Sequence, residues 1–339
     1  MMKKPTQLLS LVFVFSAFGV LGAGDKPVRK GGGSSQPVQT SKCNEVPAHP
    51  FDLILGRPTT ASVTVSVLCY DDAEGGIAYG NEGGKLALKT PVRRFKKGEP
   101  AEIVLPGLQP DRRYIYQLRL GHSQSAEIGF HTARPPGSGF RFTITADSHL
   151  DEHTESAIYQ QTLAGAVAAK PDFHIDPGDT FMAEKHVDRE AAAKQYLAQR
   201  YFLGPLCQSA PLFCVLGNHD GESPRGRGGA ADSLAVWSNT MRKRYFPNPV
   251  PDAFYSGDAA QHPEVGLLQD YYPGNGKAPR SAAEYGYKSG MILGSSGHLR
   301  VTVSPAAAVV EYLRSGEAGA TSGGRMAEAV AQTYTIPAL

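Results

Sequence analysis

The sequence predicts an N-terminal β-sandwich followed by an α/β domain, and three observations predict it. From about Phe51 to Thr132, short apolar runs alternate with turns, and "ASVTVSVLCY" sets Val63, Val65 and Val67 on one face, the period of a half-buried strand. Beyond "ARPPGSG", Ala133 to Gly139, strand-like and helix-like runs take turns, the rhythm of a parallel sheet with right-handed crossovers. Glycine (38) and proline (25) together make up nearly a fifth of the 339 residues, which favours turns and strands over a helical bundle.

The amino end comes first. Lys3 and Lys4 precede "LLSLVFVFSAFGVLGA", too short for a comfortable membrane span and followed by small residues, so residues 1–23 read as a signal peptide. Residues 24–44, with "GGGSSQPVQTS", read as a flexible linker. Export places the mature chain in the periplasm or outside the cell, with no stable membrane span once the signal is removed. Export also permits disulfides, but Cys43, Cys69, Cys207 and Cys214 are scattered and form no zinc-type pair. Cys214 lies within an apolar run and suits a buried free thiol as well as a bridge. A formal net charge of +2, from 34 basic and 32 acidic residues, gives no sign of a nucleic-acid-binding or polybasic membrane surface.

Within 45–134, "GLQPDRRYIYQLRL" is a turn followed by a strand that puts Tyr114 and Tyr116 on a common face. A tyrosine just after a Leu-x-Pro turn is the pattern of a sandwich corner. "NEGGK", Asn81 to Lys85, lacks the spacing and the Ser/Thr of a phosphate-binding loop and reads as a hairpin turn. This region resembles the fibronectin-III-like sandwich that precedes catalytic domains of the purple-acid-phosphatase type, which implies a scaffolding role.

Beyond the seam, "FRFTITADSH", "PDFHIDPGD" and "PLFCVLGNHD" read as strands. "ESAIYQQTLAGAVAAK" and the stretch from Asp188 to about Tyr201 read as helices. In such sheets ligands bind beyond the carboxyl ends of the strands. The three strands end in Asp147-Ser148-His149, Gly178-Asp179 and Gly217-Asn218-His219-Asp220, all metal-ligand or proton-transfer types. Carboxylate, imidazole and amide oxygen suit divalent ions such as Mn, Fe or Zn. A shared carboxylate can bridge two ions roughly 3.5–4 Å apart, the arrangement that clamps a displacement at phosphorus. Glycines 178 and 217 allow sharp turns at the strand ends.

In this order, "DSH…GD…GNHD" resembles the calcineurin-like metallophosphoesterases. The resemblance implies a domain over 138–337 with Asp147 and His149 as ligands of a first metal, Asp179 as the bridging ligand and Asn218 as a ligand of a second. It implies that His219 is the outer-sphere histidine that stabilises or protonates the leaving oxygen, and that Asp220 orients it. The implied activity is hydrolysis of phosphate mono- or diesters by metal-activated water, with two metals in the family. Purple acid phosphatases proper carry an iron-binding tyrosine shortly after the bridging Asp. Here Thr180 and Phe181 follow and His149 is present, so the likeness is to the wider family.

The resemblance breaks further on. The family supplies three more histidines, whereas this chain holds only His262 and His298 after Asp220, with Arg300 where a second histidine of a pair would stand. Both histidines read as structural. The "FYSGD…LLQDYY" stretch meets "RSAAEYGYKSGMILGSSGHLRVTVSP" near Tyr272-Pro273, as if a segment were missing there, and the α/β domain is expected to be incomplete. One ion then has three protein ligands and a second only Asp179 and Asn218, so at most one is well held. His153 and His174 read as packed or turn residues, and Arg225 and Arg227 as solvated loop arginines. Two functions follow: an exported metal-dependent phosphoesterase, impaired by the lost ligands, or a shortened non-catalytic relative acting as a binding or scaffold protein. No Gly-x-Ser-x-Gly signature supports a serine hydrolase.

Overall fold

Alternating Val, Ile, Leu and Tyr positions with turn residues between them build nine short antiparallel strands in the first half of the chain. The computed structural model describes residues 45–121, 123–151, 154–222, 232–249, 255, 296–315 and 329–338. The signal peptide, the linker, Cys43, His153, Arg225, Arg227, His262 and the junction at 272–273 lie outside the described residues.

The nine strands are β1 (Phe51–Gly56), β2 (Val63–Cys69), β3 (Ala73–Asn81), β4 (Leu88–Lys89), β5 (Arg93–Phe95), β6 (Ala101–Leu105), β7 (Arg113–Leu120), β8 (Ser123–Gln124) and β9 (Ile128–His131). One sheet has the order β1-β2-β6 and the other β4-β3-β7-β8, with β5 on β3 and β9 on β7. Leu53, Val65, Val67 and Ile103 from the first sheet meet Ile77, Tyr116, Leu118 and Phe130 from the second in one apolar core. Removal of such side chains from water is the main force that holds two sheets face to face. The corner read from the sequence is present: the Tyr114 hydroxyl accepts the Gln109 N–H at 2.9 Å. "NEGGK" forms the β3–β4 hairpin, with Gly83 at φ 77°.

β2 departs from the half-buried reading. Val63, Val65 and Val67 face the sandwich core as expected, but Thr64, Ser66 and Leu68 are buried as well. A long helix from the second half covers that other face. Its Arg200, fully buried, donates to Ser66 Oγ and to the Ser66 carbonyl, both at 3.1 Å, and to the Tyr245 carbonyl. Periodicity within one strand carries no information about a partner that lies more than a hundred residues away.

In the second half β10 (Phe140–Ile144), α1 (Ser156–Ala168), β11 (Phe173–Asp176), α2 (Arg189–Cys207) and β12 (Leu212–Cys214) alternate. α3 (Leu234–Tyr245), β13 (Gly297–Val303), β14 (Ala307–Arg314) and β15 (Ala329–Pro337) follow. The sheet order is β12-β11-β10-β13-β14-β15, with β10, β11 and β12 parallel and the last three strands antiparallel. Asp188 caps α2 by accepting the Ala191 N–H at 2.8 Å. α2 runs past the expected end near Tyr201 and includes Pro205. Burial of Phe202, Leu203, Leu206 and Cys207 outweighs the backbone hydrogen bond that Pro205 cannot donate. Cys69, Cys207 and Cys214 are free thiols. Among the described residues, no helix is long and apolar enough to cross a membrane.

Candidate metal centre

Because β10, β11 and β12 run parallel, their carboxyl ends share one edge, and the three loops that leave it touch. The Asp147 N–H donates to the Gly178 carbonyl at 3.1 Å and the His149 N–H to the Asp179 carbonyl at 3.3 Å. From the third loop, the His219 N–H donates to Asp179 Oδ1 at 2.7 Å. The approach requires glycine at two places. Gly178 has φ 102°, and a Cβ there would lie 2.0 Å from the Gly217 nitrogen. A Cβ on Gly217 would lie 2.2 Å from Asp179 Oδ1. The turns expected at these glycines are also contact points.

One ligand atom from each of Asp147, His149 and Asp179 lies within 4.8 Å of the others. His149 Nε2 is 3.7 Å from Asp147 Oδ1 and is buried without a hydrogen-bond partner. On the other side of the ring, Nδ1 lies 3.4 Å from Asp151 Oδ2. A carboxylate beside one imidazole nitrogen, with the other nitrogen buried and unpartnered, is an arrangement suited to a metal-binding histidine. The Asp147 carboxylate holds the His149 pKa above its ordinary value, against the opposing effect of burial. The orphaned Nε2 and the flanking carboxylates fit a divalent ion. Among the described residues this is the one group of three or more such ligands that converges.

Asn218 is exposed at the tip of the third loop, between two residues that touch Asp179. The rings of His219 and His149 lie 6.3 Å apart, so both face one space. Asp220, expected to orient His219, has its carboxylate turned to backbone. Asp220 is fully buried, and its carboxylate accepts the backbone N–H groups of Asp179, Thr180, Phe181 and Gly217 at 2.8–3.0 Å. It ties the second and third loops together. Burial pushes its pKa up while the N–H groups of Phe181, Gly217 and Thr180 pull it down. The carboxylate against His219 Nδ1 is Glu184, in a short 3-10 turn at Ala183–Lys185.

Sequence reading missed Glu184 and Asp151. Their only signal is nearness, five residues after Asp179 and two after His149. It also passed over Asp176, which is buried, accepts the Gly178 N–H at 3.0 Å and the Thr180 hydroxyl at 2.7 Å, and has its pKa pushed up to about 7 by burial. Its place before Pro177-Gly178 is a turn signal. His174 is buried between the hydroxyls of Thr143 and Thr145, and burial takes its pKa down to about 3. His298 lies buried within β13, with its pKa lowered to about 4. Both occupy packing positions.

Comparisons with known proteins bear on this arrangement. Residues 140–280 match the family model for calcineurin-like phosphoesterases. No curated protein matches the chain. A purple acid phosphatase from yellow lupin (Lupinus luteus) seeds is 14% identical, with a TM-score of 0.55, and the match covers 84% of this chain and 74% of that one. The structure of PhoD is 14% identical, with a TM-score of 0.44, over 59% of this chain and 46% of that one. The chain thus spans less than half the length of PhoD. The lupin enzyme supports the fold alone, a strand-rich region followed by a mixed α/β domain. The residues that carry the strand-end loops therefore lie in a calcineurin-like phosphoesterase domain, over 140–280.

Proposed function

We propose that the chain is an exported phosphoesterase in which Asp147, His149 and Asp179 hold one divalent ion. The observation that carries this reading is the buried, unpartnered Nε2 of His149 facing two carboxylates. A divalent ion held there supplies Lewis acidity toward a phosphoryl oxygen and a nucleophile drawn from water. Asp179, in the second loop, touches the first and third through its backbone and carboxylate, so it helps to set their spacing. Asn218, beside it, is the further ligand proposed for a second ion. His219 faces the same space, and Glu184 on its Nδ1 fixes the ring so that Nε2 presents a proton to the leaving oxygen of a phosphate mono- or diester. Asp220 acts through the loops and contacts no substrate. The lysine-led apolar segment at the amino end supports export to the periplasm or beyond. The sandwich, fibronectin-III-like in its corner tyrosine, serves as a scaffold.

The ligand count favours a second reading. Asp179 and Asn218 alone would hold a second ion poorly, which supports a feeble enzyme or a non-catalytic binding relative. Hydrolysis of an aryl phosphate with added Mn²⁺ separates the two. In the enzyme reading, His219→Ala lowers the rate by about 10²–10⁴-fold and Asp179→Ala removes the rest. Hydrolysis that survives Asp179→Ala would contradict the metal mechanism. Absence of metal-stimulated hydrolysis in the unaltered chain would favour the binding relative.

A further inference from the structure

The loops of the proposed metal centre carry unusual backbone. Asp147 (φ 56°), His149 (51°), Leu150 (52°) and Asp179 (53°) are all left-handed, and none is glycine. Such conformations cost on the order of 1 kcal/mol each and persist only where the surroundings over-determine them. Something must hold these loops in place.

Resting on the metal-site reading above, we propose that Gln195 and Gln199 of α2 are its positioning residues. They stand one helical turn apart on the face toward the loops, and both are buried. A side-chain amide group carries two hydrogens. In each glutamine, one goes to the first loop and one to the second. Gln195 Nε2 donates to the His149 carbonyl and, at 3.0 Å, to the Thr180 carbonyl. Gln199 Nε2 donates to Ser148 Oγ at 2.7 Å and to the same Thr180 carbonyl at 2.8 Å. Thr180 directly follows Asp179, and Ser148 lies between Asp147 and His149. The two amides therefore fix the distance between the loops that bring the three ligands together.

Carbonyls only accept, so the His149 and Thr180 carbonyls set the orientation of both amides, and the oxygen ends are engaged too. The Tyr159 hydroxyl donates to Gln199 Oε1 at 3.1 Å, and His186 Nε2 lies 2.5 Å from Gln195 Oε1. Leucine at either place would fill the space without the desolvation cost of a buried amide. What leucine lacks is the paired donor. Removal of that donor lets the left-handed residues relax, and the ligand atoms separate.

The test is Mn²⁺ titration, followed by electron paramagnetic resonance, on the full chain and on Gln195→Met and Gln199→Met, which keep the volume and remove the donors. The melting temperature of the metal-free proteins is measured alongside. Each variant is expected to weaken Mn²⁺ binding by about 10–100-fold, the usual effect of losing a group that supports ligands from behind. Folded variants that bind Mn²⁺ within twofold of the unaltered chain, even with a lower melting temperature, would overturn the proposal and leave the metal site standing. If neither methionine variant folds, Tyr159→Phe leaves both glutamines and removes the hydroxyl that fixes Gln199. A weakening of several-fold is then expected, and unchanged affinity would overturn the proposal. No saturable binding by the unaltered chain would overturn the metal site itself, and this proposal with it.

Discussion

The sandwich and the strand-end loops are held by different forces. Within the sandwich, order comes from apolar side chains that alternate along strands and meet in a common core. Polar fixings such as the Tyr114–Gln109 corner and the Thr132 hydroxyl on the Gln109 carbonyl supplement that core. In the loops of the candidate metal centre, polar side chains bind backbone: Asp220 on four N–H groups, and Gln195 and Gln199 on carbonyls and a hydroxyl. Hydrophobic burial is non-directional and tolerates small shifts, whereas hydrogen bonds fix distance and angle. A packed core rests on the first and a ligand cluster on the second. The difference predicts that stability and metal affinity can be damaged separately.

The largest loss of stability belongs to the sandwich. Phe130, buried against Tyr114 and Tyr116, is expected to cost about 3–5 kcal/mol on replacement by alanine. Chemical denaturation would measure that loss, and the Mn²⁺ affinity of the folded fraction should stay unchanged. Asp220→Asn is the converse. It keeps the size but puts an amide N–H₂ against backbone donors, and each buried donor left unpaired costs about 1–3 kcal/mol. Here Mn²⁺ affinity should fall as well, because Asp179 and Gly217 lose their anchor.

The smallest effect lies between the two regions. His49 packs on Tyr70 and Tyr201, with Nε2 2.9 Å from Asp52 Oδ1 and Nδ1 2.7 Å from the Pro47 carbonyl. The Asp52 hydrogen bond raises its pKa above the ordinary 6.5, outweighing burial, and the Pro47 carbonyl adds to it. A raised folded pKa gives stability that is fully present below about pH 6.5 and is lost as pH rises through the folded value. The gap in melting temperature between the unaltered chain and His49→Gln should therefore narrow from pH 6 to pH 8.5. The contact contributes at most about 1 kcal/mol. A gap that widens over that range would reverse the assignment.

The two regions were also unequally legible. The alternation of Val63, Val65 and Val67, the Tyr114 corner and the parallel strands whose following loops carry Asp147, Asp179 and Asn218 follow from local pattern, and the structure has them. Local pattern says nothing of what packs from elsewhere. That is why β2 read as half-buried, and why the helix over it read as ending near Tyr201. The same limit hid contacts made to the candidate site from elsewhere in the chain. Glu184 reaches His219, and Gln199 reaches Ser148, across 35 and 51 residues of chain. Asp220 was visible as a carboxylate, but not as one turned inward to backbone.

The central claim is that Asp147, His149 and Asp179 together hold one divalent ion. Its most direct test is the stoichiometry of Mn²⁺ bound to the full chain at equilibrium, compared with that of Asp179→Ala. The account predicts one saturable, weakly held ion in the unaltered chain and none in the variant. Two tightly held ions, or a single ion indifferent to Asp179→Ala, would contradict it.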